Sequence, residues 1–243
     1  MALKLEIHSH WHVGVDLGQS HDPTAVCILE TKTAIVPDWA WAPPRFELPR
    51  LTAEQKAYVS PFNVVHLERL PLGMSYPEQV LFVASLIARE PLQSPDVYID
   101  YTGVGRPVYD LFKAARVPGI VGISITGGKD PQKTNTGWSV PKNILVSGVQ
   151  AKLHTGQLKV AAGLLDAPVL LKEFQDFRVT FTSAGNAIFN ARQGKHDDLV
   201  LAVSLAVWGA SQPPPVKPCF GTYTTNTPSS NTLVSRYSST NGE

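Results

Sequence analysis

The segment from Asp198 to Trp208, DLVLAVSLAVW, is apolar on every side after its first residue, apart from one serine. A helix without a polar face is buried all round. The chain must therefore build enough sheet and flanking helix to enclose it. Its 243 residues, 43% of them hydrophobic, suffice for one such domain. No apolar run reaches the roughly 18 residues of a membrane span. The start, MALKLEIHSHWH, lacks the apolar core and small-residue cleavage site of a secretory signal. Cys27 lies in an apolar run and Cys219 in a polar stretch, which makes neither a disulfide framework nor a zinc pair. A reduced, cytoplasmic protein is expected.

Upstream of that helix, Trp11–Gly18 reads as a buried strand, with Thr24–Glu30 as its hairpin partner. Residues 33–61 are rich in Pro and Trp without a period and predict a surface insertion. Phe62–Leu70 alternates as a third strand. Pro77–Arg89 begins with a helix-starting proline and places apolar residues 80, 83, 84 and 87 on one face. Asp96–Tyr101 predicts strand four, Pro107–Arg116 a short helix and Gly119–Ile125 strand five. The glycine-rich stretch Thr126–Ser139 is expected to be a mobile loop. Pro141–His154 and Val169–Phe177 predict helices, and Arg178–Asn190 a hairpin turned at Ala184-Gly185-Asn186. Residues 211–243, rich in Pro, Ser and Thr, predict a disordered tail. Three meandering strands followed by βαβ-type crossovers give an α/β fold. Its expected core is a mixed five-stranded central sheet flanked by helices with an added β-hairpin, and this order resembles that of RNase H-like proteins.

Three acidic positions stand out. Asp16 interrupts an apolar strand, where an uncompensated charge costs on the order of several kcal/mol. Asp100 ends a second apolar strand, in VYIDYTGVG, and the following Gly103 and Gly105 permit a tight turn and close approach of a ligand to the backbone. The third position is His196-Asp197-Asp198, which opens the apolar helix. Each acid alone has an ordinary reading: a strand-end residue bonded to amides, a turn cap, a helix N-cap. Together, at strand ends and a helix start, they suit Mg2+ or Mn2+, hard cations that take oxygen ligands. Two such ions can activate a water and stabilise the leaving oxygen of a phosphodiester.

The strings GVDLGQSHDPTAVCIL, VYIDYTGVGRPVYDLF and KHDDLVLAVSLAVW, in this order, resemble the nuclease domain of the large terminase subunit of tailed bacteriophages. The intervening VPKNILVSGVQAKLHTGQLKVA and LLKEFQDF extend the resemblance from about His12 to Trp208. It implies a metal-dependent endonuclease for double-stranded DNA, phage or prophage encoded, with residues 1–210 as the nuclease domain. It places the metal-binding, catalytic acids on Asp16, Asp100 and the His-Asp-Asp run. There Asp198 is preferred as direct ligand, and Asp197 as a second ligand or a support behind it. The terminase family carries an ATPase motor driven by a Walker A loop, but G-x-x-x-x-G-K-[ST] occurs nowhere here. A separate or missing terminase ATPase, a small terminase subunit and a portal protein are then the implied partners, and this chain alone is not expected to drive packaging.

Other residues have two readings each. From Leu111 to Lys195 there are 11 Lys/Arg against 4 Asp/Glu, although the whole chain carries only +1. Lys129, Lys133, Lys142 and Lys195 are candidate contacts to DNA phosphates or plain solvated lysines. Asp22 is a turn residue or an acid supporting the metals. His196 positions water or phosphate, or bonds to backbone at the helix start. His8, His10 and His12 share one strand face, where a zinc site is conceivable but a polar face is commoner. Trp39 and Trp41 stack on bases or cover a core edge. VGVDLGQS also resembles the phosphate strand of the sugar-kinase and actin superfamily, which would imply ATP binding. A Holliday-junction-resolvase-like nuclease and a prophage remnant that binds DNA without cutting are the remaining alternatives.

Overall fold

The computed structural model describes residues 6–18, 22–35, 61–92, 94–103, 106–181, 187–191 and 196–212, all within one compact unit, Met1–Gln212. Most of the 33–61 insertion with Trp39 and Trp41, Gly105, Lys195, the turn at 184–186 and the tail beyond 212 lie outside the described residues.

Strand β1 (Glu6–Asp16) pairs antiparallel with β2 (Ala25–Ile35), and β2 with β3 (Phe62–Arg69). Helix α1 (Tyr76–Ile87), β4 (Asp96–Asp100), α2 (Arg106–Ala114) and β5 (Ile120–Thr126) follow. Next come β6 (Gln132–Lys133), β7 (Gly137–Pro141), α3 (Lys142–His154), β8 (Leu158–Val160) and α4 (Ala167–Asp176). A separate antiparallel pair, β9 (Phe177–Phe181) with β10 (Ala187–Ala191), precedes the last helix, α5 (Asp198–Ala210).

Among the described residues the central sheet has the order β6-β7-β5-β4-β1-β2-β3-β8, eight strands where five were expected. All five expected strands are present, and the surplus lies at the two flanks. The expected mobile loop at 126–139 instead contributes β6 and β7, and β8 follows α3. These strands are two, five and three residues long. Such lengths show too little alternation to register as a period, and their pairing is supplied by the neighbouring strand.

Strand alternation divides the core into two layers. Val13, Val15, Val26, Ile28, Val97 and Ile99 face α1 and α2. Ala25, Cys27, Leu29, Val64 and Leu67 face the opposite way, toward α5 with α3 and α4 beside it. Every residue of α5 from Asp198 to Gly209 is buried, as its all-round apolarity requires. Its seat on β1 depends on Gly14. A Cβ there would overlap the Ala202 carbonyl oxygen and come within 2.8 Å of the Ala206 nitrogen. Gly14→Ala is therefore expected to destabilise the fold by about 2 kcal/mol or more, in the range of overpacked cores. A urea melt with an unchanged midpoint would mean that α5 does not press on β1.

Because Gly14 faces α5, Asp16, two residues on, shares that face. Strand β1 runs parallel to β4 with Asp16 opposite Asp100, and β4 is parallel to β5 and β5 to β7. The parallel strands thus finish at one end of the sheet, with the two acids side by side and the N-terminus of α3 next along. The turn after β1 is fixed from α1. Buried Gln79 donates from Nε2 to the Gly18 carbonyl at 2.9 Å, and Thr24 Oγ1 donates to Gln79 Oε1 at 2.8 Å. Helix α1 itself starts on a capping interaction, in which the Glu78 carboxylate accepts from the Ser75 backbone N–H at 2.9 Å.

Candidate metal centre

Asp16 is the last residue of β1 and Asp100 the last of β4, adjacent in register and directed to the α5 face. Helix α5 adds Asp198 from its first position, buried, with Asp197 just before it. The structure thus brings together the four acids expected from the sequence. Burial pushes Asp16 well above the ordinary carboxylate range, and Asp100, Asp198 and Asp197 push it further, with the Lys142 ammonium opposing. Burial also raises Asp100 to about 6, against the amide and hydroxyl of Thr102 and against Lys142. Asp198 reaches about 6 through burial, although Arg69 and His196 pull it down. Acids raised in this way lack positive charge, and a divalent cation would supply it.

The ordinary readings of these residues are part of the geometry too. Asp100 Oδ1 accepts from the Thr102 backbone N–H at 2.8 Å, closing the turn in which Gly103 has φ 82°. Asp197 occupies the N-cap position of α5 but makes no side-chain cap. Its Oδ2 accepts instead from Lys142 Nζ at 2.7 Å. The capping is done from outside the helix: Glu173 on α4 accepts from the Val200 N–H at 3.0 Å.

Glu173 and Arg69 were not anticipated from the sequence. Arg69, the last residue of β3, donates to the Glu173 carboxylate and, at 3.2 Å, to Asp198 Oδ2. Glu173 is buried, which pushes it up to about 7 even though Val200 N–H and Arg69 both favour its charged form. Arg69 therefore fixes Asp198 from the side away from β1. The available signal was faint: a glutamate three residues after Leu170 on the buried face of α4, and an arginine ending an alternating strand.

Asp22 and His196 lie at the exposed edge of the same site. His196 Nδ1 is 3.4 Å from Asp22 Oδ1 and 3.7 Å from Asp198 Oδ2. One ligand atom from each of Asp22, His196 and Asp198 lies within 4.8 Å of the others, a spacing that could hold a metal ion. The other histidines go elsewhere: His10 and His12 contact Thr33 and Thr31 across the β1–β2 pair. Of the candidate phosphate-binding lysines, Lys129 and Lys133 are exposed along the β6 flank, while Lys142 sits inside the acidic cluster. Gly103 shapes the turn after Asp100.

Solved structures share this architecture, three of them as follows. They are the large terminase nuclease of thermophilic phage G20c (TM-score 0.54, 20% identity, covering 82% of this chain and 81% of that one), the same nuclease with bound magnesium (0.56, 20%, 82% and 81%), and the large-terminase nuclease domain of a Thermus phage (0.53, 19%, 82% and 78%). The chain shares the fold of the phage large-terminase nuclease. That is an α/β architecture with a mixed sheet between helical layers. No protein-family model matches the sequence, and no curated protein matches it. Among the described residues, no helix is long and apolar enough to cross a membrane.

Proposed function

We propose that this chain is a metal-dependent endonuclease for double-stranded DNA, the nuclease part of a phage packaging terminase. One observation carries the reading: Asp16 and Asp100 end adjacent parallel strands in register, and α5 delivers Asp198 to the same point. Hard oxygen donors that burial raises above the ordinary carboxylate range are a donor set for Mg2+ or Mn2+. Asp16, Asp100 and Asp198 would hold the metal, with Asp197 available to a second ion and Asp22 and His196 supporting Asp198 from the exposed edge. Bound there, such ions would supply Lewis-acid activation of water and neutralise the charge that develops on the leaving oxygen.

The protein's own residues do the rest. Arg69 and Glu173 hold Asp198 still, and Thr102 holds Asp100. Lys129 and Lys133, exposed along the β6 flank, give the duplex backbone a positive approach without reading its sequence. The cut site would then be chosen by partners: a separately supplied ATPase motor, a small terminase subunit and a portal protein, in the cytoplasm of a bacterial host.

Incubation with supercoiled plasmid and millimolar Mn2+ or Mg2+ is expected to give nicked and then linear DNA, and EDTA to stop it. Intact plasmid in every metal, from protein that remains folded, would remove the nuclease reading. Thermal stabilisation by ATP without cleavage would favour the kinase-like alternative.

A further inference from the structure

Lys142 is the most incongruous residue in the site. It is the first residue of α3, where the helix dipole disfavours a cation. Its ammonium nevertheless lies 2.7 Å from Asp197 Oδ2, and its charge favours ionised Asp16 and Asp100 as well. The β7–α3 junction puts it there. Pro141 ends β7 opposite Thr126 of β5, in the strand row that also ends at Asp16 and Asp100, so the next residue starts its helix beside the acids. The side chain keeps about a quarter of its surface exposed (25%), so a ligand can reach it from solvent. Lysine is a compact point charge on a flexible stem, able to trade one anion for another.

We propose that Lys142 is the site's built-in counter-ion: it fills the cation position beside Asp197 in the DNA-free protein and transfers to a DNA phosphate when the duplex arrives. The inference rests on the nuclease reading and adds its regulation. Without DNA, the acids accept a single divalent ion. With DNA, Asp197 is released and a second can enter. A phosphate is a suitable acceptor, since it offers the ammonium the same anionic oxygens that Asp197 does. The acids would then reach full metal loading only around substrate, which limits unproductive cleavage chemistry beforehand.

Mn2+ titration of the full chain by calorimetry tests this without relying on cleavage. Wild type is expected to bind one Mn2+ per chain, and Lys142→Met and Lys142→Gln to bind two. Glutamine can still donate a hydrogen bond to Asp197, so it guards against a folding defect in the methionine variant. Adding Asp197→Asn to Lys142→Gln should return the count to one. In parallel, the salt dependence of duplex binding, measured in Ca2+, should lose about one unit of log–log slope in Lys142→Gln, the contribution of one phosphate contact. Variants that bind one ion like wild type, or an unchanged salt slope, would overturn the inference and leave the nuclease reading standing. Wild type that binds no Mn2+ would instead remove the nuclease reading itself.

Discussion

Asp100→Asn is expected to abolish metal-dependent cleavage and, at the same time, to raise the melting temperature of the metal-free protein. The loss should be about a thousandfold or more, because a metal's stabilisation of the transition state is worth several kcal/mol and each ~1.4 kcal/mol is tenfold in rate. The gain in stability has a separate origin. Burial raises Asp100 from its ordinary 3.8 to about 6. The fold thus prefers the protonated acid. Asp100 adds full stability below the unfolded value and loses that contribution as pH rises through about 6. Asparagine is neutral at every pH and keeps an oxygen for the Thr102 N–H. At neutral pH the substitution should contribute on the order of 1–3 kcal/mol, the lower part of that range if neighbouring acids relax when one is removed. In a domain of this size each kcal/mol moves the midpoint by about 2–4 °C. Asp16→Asn should behave alike, since burial raises Asp16 too, with the charges of Asp100, Asp198 and Asp197 adding to it. Differential scanning calorimetry in EDTA, beside the plasmid assay, measures both effects. Variants that cleave like wild type would refute the assignment of these acids; variants that melt lower would refute the cost of burying their charge. The same protons compete with metal, so Mn2+ affinity should weaken as pH falls through about 6.

Glu173→Ala should produce the largest loss of stability of any single change at this site, about 3–5 kcal/mol, the range for breaking a buried ion pair from one side. Two groups lose their partner at once. Among the described residues, the Arg69 guanidinium then keeps Asp198 alone, and the Val200 N–H in the first turn of α5 has no other acceptor. Glu173→Gln retains an oxygen for Val200 and should cost less. Because Arg69 also steadies Asp198, Mn2+ affinity should fall about tenfold to a hundredfold, as is usual when support behind a ligand is removed. Urea unfolding in EDTA separates stability from metal affinity. An alanine variant as stable as wild type would show that α5 is not capped from α4.

The parts of this design legible in the sequence are those that break a local rule. Asp16 and Asp100 stood out because a charge in an apolar strand has no local compensation, and the sheet pairs them in register. Asp198 stood out because an acid opens a helix that is otherwise apolar all round. Asp197 was legible as an N-cap by position, but its carboxylate belongs to Lys142, a partner no spacing rule connects to it. Arg69 and Glu173 break no rule where they stand. They meet only when β3 and α4 pack around α5, and a contact made by tertiary packing leaves no periodic trace. Strands β6, β7 and β8 were missed for a related reason: in so few residues, pairing with a neighbour decides the conformation.

Those short flanks also bear on how the molecule behaves among copies of itself. An eight-stranded sheet that ended in long apolar strands would offer two rows of open amides and carbonyls to other chains. Among the described residues the outermost strands are only two and three residues long, and each carries a lysine, Lys133 on one side and Lys159 on the other. So brief a ladder gives an incoming strand little to bind, and its charge repels a second copy. The flanks therefore guard the sheet against edge-to-edge aggregation, and Lys159→Val would be the change to remove that guard.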